Sequence, residues 1–180
     1  RPKTEHFDVE DQLGEGNFTK IYRARLKSTN IVYAIKAIEK QTVERIKRRH
    51  PNVNNEILME KRILSRLCHQ HVVPLYSTFQ DCSSLYFQME FLTGGELWSL
   101  LQENGKPVGA HWSQACFFLA EALNVLEYMH SRGVVHRDLK PENMMICKRG
   151  HLKLVDFGTA KDLMYTNLNG PEFVGTPEYM

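Results

Sequence analysis

Apolar and polar residues alternate over Tyr33-Ala34-Ile35-Lys36 and again, in two runs, from Val72 to Met89, which predicts strands with a hairpin at Asp81-Cys82-Ser83-Ser84. Two further strand-like stretches, around Phe7 to Leu13 and Lys20 to Lys27, flank a turn containing Gly14 and Gly16. The period changes from Asn54 to Leu67, where Ile57, Leu58, Ile63, Leu64 and Leu67 recur at helical intervals behind a start signal at Pro51 to Asn55. Trp112 to His130 is the clearest helix: Ala115, Phe118, Leu119, Ala122, Leu123, Leu126 and Met129 form one apolar stripe, and Gly133 ends it. Met144-Met145-Ile146 and Leu152-Lys153-Leu154-Val155 predict two short strands around a turn at Lys148 to Gly150.

Composition narrows the function classes. The 180 residues suffice for one domain with a substantial core or two small ones, and a net charge of +2 with mixed signs argues against a dedicated nucleic-acid binder. Glu39 to Asn55 is basic, with Arg45, Lys47, Arg48 and Arg49, and reads first as a solvated helix face and second as a docking surface. Cys68, Cys82, Cys116 and Cys147 are scattered without a Cys-x-x-Cys pair, so neither zinc nor a disulfide framework is expected; reduced thiols in the cytoplasm are the default. No apolar run approaches the roughly 20 residues of a membrane span, and Arg1-Pro2-Lys3-Thr4 is no secretory signal.

The chemistry concentrates between His136 and Gly158. His136-Arg137-Asp138-Leu139-Lys140-Pro141-Glu142-Asn143 precedes the first short strand, and Asp156-Phe157-Gly158 follows the second. Phosphoryl transfer asks a protein to position a nucleophile, hold Mg²⁺ and offset developing charge. Asp138 suits the proton acceptor for an incoming hydroxyl. Asn143 and Asp156 offer hard oxygen ligands of the kind Mg²⁺ takes, and Lys140 can reach a transferred phosphate. A charged surface loop with a bulge glycine is the plain alternative for Asp156-Phe157-Gly158 alone, but not for both motifs at this spacing.

Position by position, these motifs resemble the catalytic loop and metal-binding motif of eukaryotic protein kinases, over about Phe7 to Met180. The resemblance implies an α+β, bilobal protein-kinase-like fold: a small lobe of antiparallel sheet plus regulatory helix (about 7–92), and a first, incomplete part of a mainly helical large lobe (93–180). It implies ATP and Mg²⁺ as cofactors. Around the nucleotide it implies Leu13, Gly14, Gly16, Phe18, Ile21 and Ala34, with Thr19 standing where the family carries a third glycine. Lys36 matches the phosphate-binding lysine, and Glu60 its acidic partner, with Glu56 as the competing candidate. Met89 then guards the back pocket, Glu90 and Leu92 form the hinge, Glu96 contacts ribose, Met145 lies under adenine and Glu142 lines the same site. Lys140 and Thr176 resemble the pair that braces the base in serine/threonine kinases, so protein Ser or Thr is the implied acceptor.

Finer matches, such as Asp156-Phe157-Gly158-Thr159-Ala160-Lys161 and Phe173-Val174-Gly175-Thr176, are similar to the AGC group, to its phosphoinositide-dependent type ahead of its cyclic-GMP-dependent type. Within that group Lys61, Thr78, Gln80 and Leu85 fall where a hydrophobic phosphopeptide tail docks. Glu172 stands where AGC kinases carry the phosphorylated Ser or Thr and is expected to replace the phosphate, pairing with Arg137 and Lys161. The chain stops where the family continues into further helices, so a fragment, inactive by itself, is expected, with any membrane recruitment left to other regions. A pseudokinase or nucleotide-binding scaffold is the alternative. A P-loop ATPase is not, because Gly-x-x-x-x-Gly-Lys-Ser/Thr does not occur.

Overall fold

The computed structural model describes residues 2–16, 18–103, 106–165 and 174–179. The chain divides into two units, Arg1–Asn55 with Pro74–Phe91 and Glu56–Val73 with Leu92–Met180. The second division falls near the expected boundary at 92, whereas most of the helix expected with the small lobe groups with the second unit.

In the first unit the alternating stretches form strands β1 (Phe7–Glu15), β2 (Thr19–Leu26) and β3 (Val32–Glu39), helix α1 (Lys40–Lys47), then β4 (Leu75–Gln80) and β5 (Ser84–Glu90), after the start of helix α2 (Val53–Arg66). The five strands make one antiparallel sheet in the order β1-β2-β3-β5-β4. Side chains alternate along each strand, so register decides which residues share a face. Ile21 lies opposite Lys36 and Ala34 opposite Met89, which gathers these four on one face. The other face carries a small core of Phe7, Ala24 and Ile35, covered by Tyr33, Phe79 and Tyr86. Phe79 stacks on both Phe7 and Tyr86, at 5.6 and 5.0 Å between ring centres. Asp81 closes the predicted hairpin, accepting from the Ser83 and Ser84 amides at 2.8 Å each and from the Tyr86 hydroxyl at 2.9 Å. Slight burial pushes the Asp81 carboxyl up, but these donors outweigh it and bring its pKa down to about 2.

In the second unit α2 buries Ile57, Glu60, Ile63 and Leu64 along one stripe. Leu58, expected on that stripe, is 62% exposed: it follows Ile57 directly and so turns about 100° away from it. A short helix α3 (Leu97–Leu100), a minimal hairpin of β6 (Gln102–Glu103) and β7 (Lys106–Pro107), and helix α4 (Trp112–Ser131) follow. Gly133, at φ +68°, receives the chain at the end of α4 as its position predicts. The apolar stripe expected on α4 is only partly the buried one. Ala122, Val125 and Met129 are buried together with Glu121, whereas Leu119 and Leu123 are 61% and 58% exposed, because this helix is apolar on more than one face.

Beyond α4 the elements are very short: β8 (Val134–Val135), a 3-10 turn at Pro141–Asn143, β9 (Met144–Ile146), β10 (Leu152–Leu154) and β11 (Lys161–Asp162). β9 pairs with β10, and β8 with β11, both antiparallel. A clasp fixes the β9–β10 hairpin to α4. The buried Glu121 carboxylate accepts from the Leu152 amide at 2.8 Å and from the His151 ring at 2.6 Å. On the other side of the hairpin, Gly94 donates to the Ile146 carbonyl at 2.9 Å and the Ile146 amide returns a bond to Gly95 at 2.8 Å. The fit there is so close that a Cβ on residue 94 would lie 2.6 Å from the Ile146 oxygen.

Candidate active site

The catalytic-loop candidates converge within the second unit. Asp138 Oδ1 accepts from the Thr176 hydroxyl at 2.5 Å, and Lys140 Nζ lies 3.1 Å from Asp138 Oδ2 and 2.7 Å from Thr176 Oγ1. The Asn143 amide nitrogen donates to the Asp138 backbone carbonyl at 2.8 Å and to its Oδ2 at 3.0 Å. Partial burial raises the Asp138 pKa, but hydrogen bonds from Thr176, Lys140 and Asn143, with the lysine charge, win and leave it below the usual carboxylate value. The group is therefore an ionised acceptor near neutral pH.

Asn143 and Asp156 come to the same end of the β9–β10 hairpin: Asn143 immediately precedes β9, Asp156 follows β10, and the Val155 amide donates to the Asn143 carbonyl at 3.0 Å. His136 locks the two motifs together. Its Nε2 donates to the Val155 carbonyl at 3.0 Å, its ring meets the buried Phe157 edge-on at 5.0 Å, and its carbonyl accepts from the Thr159 hydroxyl at 3.1 Å. Burial holds the His136 pKa below its ordinary value, which keeps the ring neutral. Arg137 donates from Nε to the Thr159 carbonyl at 2.7 Å. Arg137 and Asp156 sit at φ +68° and +54°, a left-handed conformation uncommon in non-glycine residues and concentrated at functional sites.

The linker candidates also meet. Glu96 forms an antiparallel bridge with Met145, which brings two of the expected nucleotide contacts of this unit side by side, and Leu92 is buried nearby in sequence. Glu142 lies in the 3-10 turn between Lys140 and Asn143. Glu60, on α2, is 4% exposed.

In the first unit, Ile21, Ala34, Lys36 and Met89 share their face, and Lys36 is buried at 7% exposure. Glu90 lies across from Tyr33 at the end of β5. Gly14 pairs with Ile21 beside the exposed Leu13. In the turn that follows, Gly16 donates its amide to the Thr19 carbonyl at 2.7 Å, and a Cβ on Gly16 would meet the Thr19 hydroxyl at 2.7 Å. Thr19 thus folds its side chain over the turn where a third glycine would leave it open. Phe18 is half-buried. A groove of ≈ 690 Å³ lies on the opposite face, lined by Tyr22, Ala24, Ile35 and Ala37; Gly16 and Phe18 border it, whereas Ile21, Ala34, Lys36 and Met89 do not.

Glu172 lies outside the described residues. Lys36 and Glu60, expected as an ion pair, belong to different units. Sequence reasoning missed Glu121 with His151, and Arg66 with Asp162, an ion pair of 2.9 Å. A charged residue inside an apolar helical stripe was the available signal for Glu121; none marked Asp162.

A family profile described as a protein kinase domain matches residues 7–180. The chain belongs to the protein kinase family. Among its relatives, the 3-phosphoinositide-dependent protein kinase 1 of Homo sapiens is 36% identical, over 100% of this chain and 31% of its own length. Its counterpart in Arabidopsis thaliana is 35% identical over 97% of this chain and 36% of its own length. A cAMP-dependent protein kinase, catalytic subunit-like, of Caenorhabditis elegans is 39% identical over 93% and 39%. Both kinds of kinase are AGC kinases, the group the motifs resemble. The chain spans about a third of the length of these curated relatives. The α+β fold class expected of a kinase agrees with the five-stranded antiparallel sheet and the helices that accompany it. Among the described residues no helix is long and apolar enough to cross a membrane.

Proposed function

We infer that this kinase region transfers the γ-phosphate of ATP to serine or threonine side chains of protein substrates. The observation that carries the reading is the Asp138 carboxylate held at once by Lys140, Asn143 and Thr176. In this role Asp138 accepts the substrate hydroxyl proton and keeps that oxygen aimed at phosphorus, while Lys140 offsets charge on the transferred group. Thr176 fixes the carboxylate rotamer.

Magnesium fits the donor set. Asn143 turns its amide nitrogen toward Asp138, which presents its carbonyl oxygen, and Asp156 adds an exposed carboxylate at the same hairpin end. Both are hard oxygen ligands. Bound Mg²⁺ would neutralise phosphate oxygens. Lys36, with Glu60 as the acid assigned to it, serves the α- and β-phosphates. Leu13, Gly14, Gly16, Phe18, Ile21, Ala34, Met89, Glu90, Leu92, Glu96, Glu142 and Met145 serve the rest of the nucleotide. Retention of Lys36, Asp138, Asn143 and Asp156 together favours catalysis over scaffolding.

Glu172 takes the place of an activating phosphate, supplying one fixed negative charge instead of about −1.5 to −2. Lys61, Thr78, Gln80 and Leu85 receive a hydrophobic phosphopeptide tail; Gln80 and Leu85 are cross-strand neighbours on β4 and β5. All four cysteines are free thiols, in keeping with a cytoplasmic protein.

The reading is tested by phosphate transfer from ATP to a basic peptide pool by the full-length protein. Transfer that Asp138→Asn abolishes supports it; transfer indifferent to that change ends it. Glu172→Ala should lower turnover, and unchanged turnover refutes the phosphate replacement. Tail-peptide affinity indifferent to Lys61→Ala and Gln80→Ala removes the docking assignment.

A further inference from the structure

Two arginines near the end of α2 reach the segment that follows Asp156-Phe157-Gly158. The Arg66 guanidinium places Nη1 2.9 Å from Asp162 Oδ2 and donates from Nη2 to the Arg132 carbonyl at 2.8 Å. Asp162 is completely buried, whereas Arg66 keeps 27% of its side chain exposed. One turn earlier, Arg62 lies 4.3 Å over the centre of the Tyr165 ring. The chain around this contact is tied down by its backbone. Asp162 Oδ1 accepts from the Met164 amide at 3.1 Å, and the Leu163 amide donates to Gly133 at 2.8 Å.

The two groups that Arg66 joins flank the catalytic motifs symmetrically. Arg132 stands six residues before Asp138, with β8 between them, and Asp162 six residues after Asp156. β8 and β11 are two residues each and, among the described residues, pair only with one another, Lys161 with Val135 and Asp162 with Val134. So short a ladder supplies little register of its own. The guanidinium hydrogen-bonds to the Arg132 carbonyl before β8 and ion-pairs with Asp162 on β11, two separate nitrogens serving the two sides, an arrangement that an ammonium point charge does not reproduce. The same helix carries Glu60, buried one and a half turns before Arg66.

We propose that Arg66 is a positioning residue for phosphoryl transfer: by joining Asp162 to the Arg132 carbonyl it holds Asp138 and Asp156 in register with helix α2. The inference rests on the kinase reading above and deepens it. It makes the placement of the metal-binding carboxylate depend on α2 through an ion pair whose acid is fully buried.

With its acid fully buried, this ion pair permits a decisive test, because replacing both partners of such a pair with apolar residues of similar volume is often neutral for stability, whereas removing one is not. In the full-length protein, Arg66→Met combined with Asp162→Leu should keep the wild-type melting temperature. Its kcat should fall about 10- to 100-fold, the scale of a small misplacement of catalytic groups, and the Mg²⁺ concentration for half-maximal rate should rise. Arg66→Lys should fall between this variant and wild type. A stable double variant with wild-type kcat and Mg²⁺ dependence overturns the proposal, since the pair would then only hold the fold. Should the double variant fail to fold, Asp162→Asn, which is nearly isosteric, takes its place with the same two readouts and the same criterion.

Hydrogen exchange separates this inference from the reading beneath it. If the wild-type protein transfers no phosphate, the kinase reading fails. The positioning role then stands if Arg66→Lys speeds amide exchange at both Val134–Asp138 and Phe157–Asp162, and falls if exchange there is unchanged.

Discussion

The two units position their candidate residues by different means. In the first, Ile21, Ala34, Lys36 and Met89 share a face because three strands run in unbroken register past one another, seven residue pairs between β2 and β3 and seven between β3 and β5. In the second, Asp138, Asn143 and Asp156 lie beside, not on, strands of two or three residues, and side chains take over the work of the ladder. His136, Thr159, Asn143 and Thr176 each make a bond that sets the path of the chain. A backbone-registered array spreads its precision over many equivalent hydrogen bonds. A side-chain-registered one places it in a few, so single substitutions at these side chains in the second unit should lower activity with little loss of stability, and core substitutions in the first should lower stability with little loss of activity.

The largest effect expected from that contrast is at Asp138. Asp138→Asn keeps the shape but loses the proton acceptor, and kcat should fall about 10²- to 10⁴-fold with little change in melting temperature. Steady-state kinetics beside calorimetry would check it; a parallel loss of stability would mean that the carboxylate is structural. The first unit should behave conversely. Ile35→Ala, in the core on the face away from Lys36, should cost about 2–5 kcal/mol of stability by denaturant titration while leaving kcat of the folded fraction near wild type. Thr176→Val removes the hydroxyl shared by Asp138 and Lys140, and should lower kcat about tenfold, roughly 1.4 kcal/mol. Equal activity would show that Lys140 and Asn143 suffice to orient the base.

Acid should also distinguish the units. Burial lowers the His136 pKa in the folded state, so the unfolded chain binds the proton more readily. The contribution of His136 is therefore present above its ordinary value of 6.5 and is lost as pH falls below it. Asp81, also depressed, retains its contribution until pH drops below the ordinary value of 3.8, and loses it through about 2. Melting curves between about pH 7 and pH 5, the window of a histidine, should show loss of stability in wild type and a smaller loss in His136→Gln. The smallest effect is Asp81→Ala, about 1 kcal/mol by thermal unfolding, because the hairpin loses four bonds but lies in solvent.

The same contrast explains what the amino-acid order revealed. Alternation at Tyr33 to Lys36 and across Val72 to Met89 is a local signal, and it gave both the strands and their shared face. The catalytic octapeptide and Asp156-Phe157-Gly158 were legible because the chemistry demands particular residue types at fixed spacing. Leu58, Leu119 and Leu123 misled because hydrophobicity marks what can be buried, not what a neighbour covers. Arg66 and Asp162 left no trace, since a pairing 96 residues apart, the difference between 162 and 66, has no period to betray it. Glu121 was marked by its charge within an apolar stripe, but its partners were hidden for a related reason: His151 and the Leu152 amide lie far along the chain from it.

The closeness of Gly94 to Ile146 has a consequence for the evolution and engineering of this chain. A library randomised at residue 94 and selected for folded protein should return one amino acid, because even alanine would drive its methyl into a carbonyl oxygen. Gly95, at φ +75° with open space around it, should admit asparagine or aspartate as well. Two adjacent glycines, indistinguishable when written down, would thus carry opposite mutational tolerance, one limited by volume and the other by handedness.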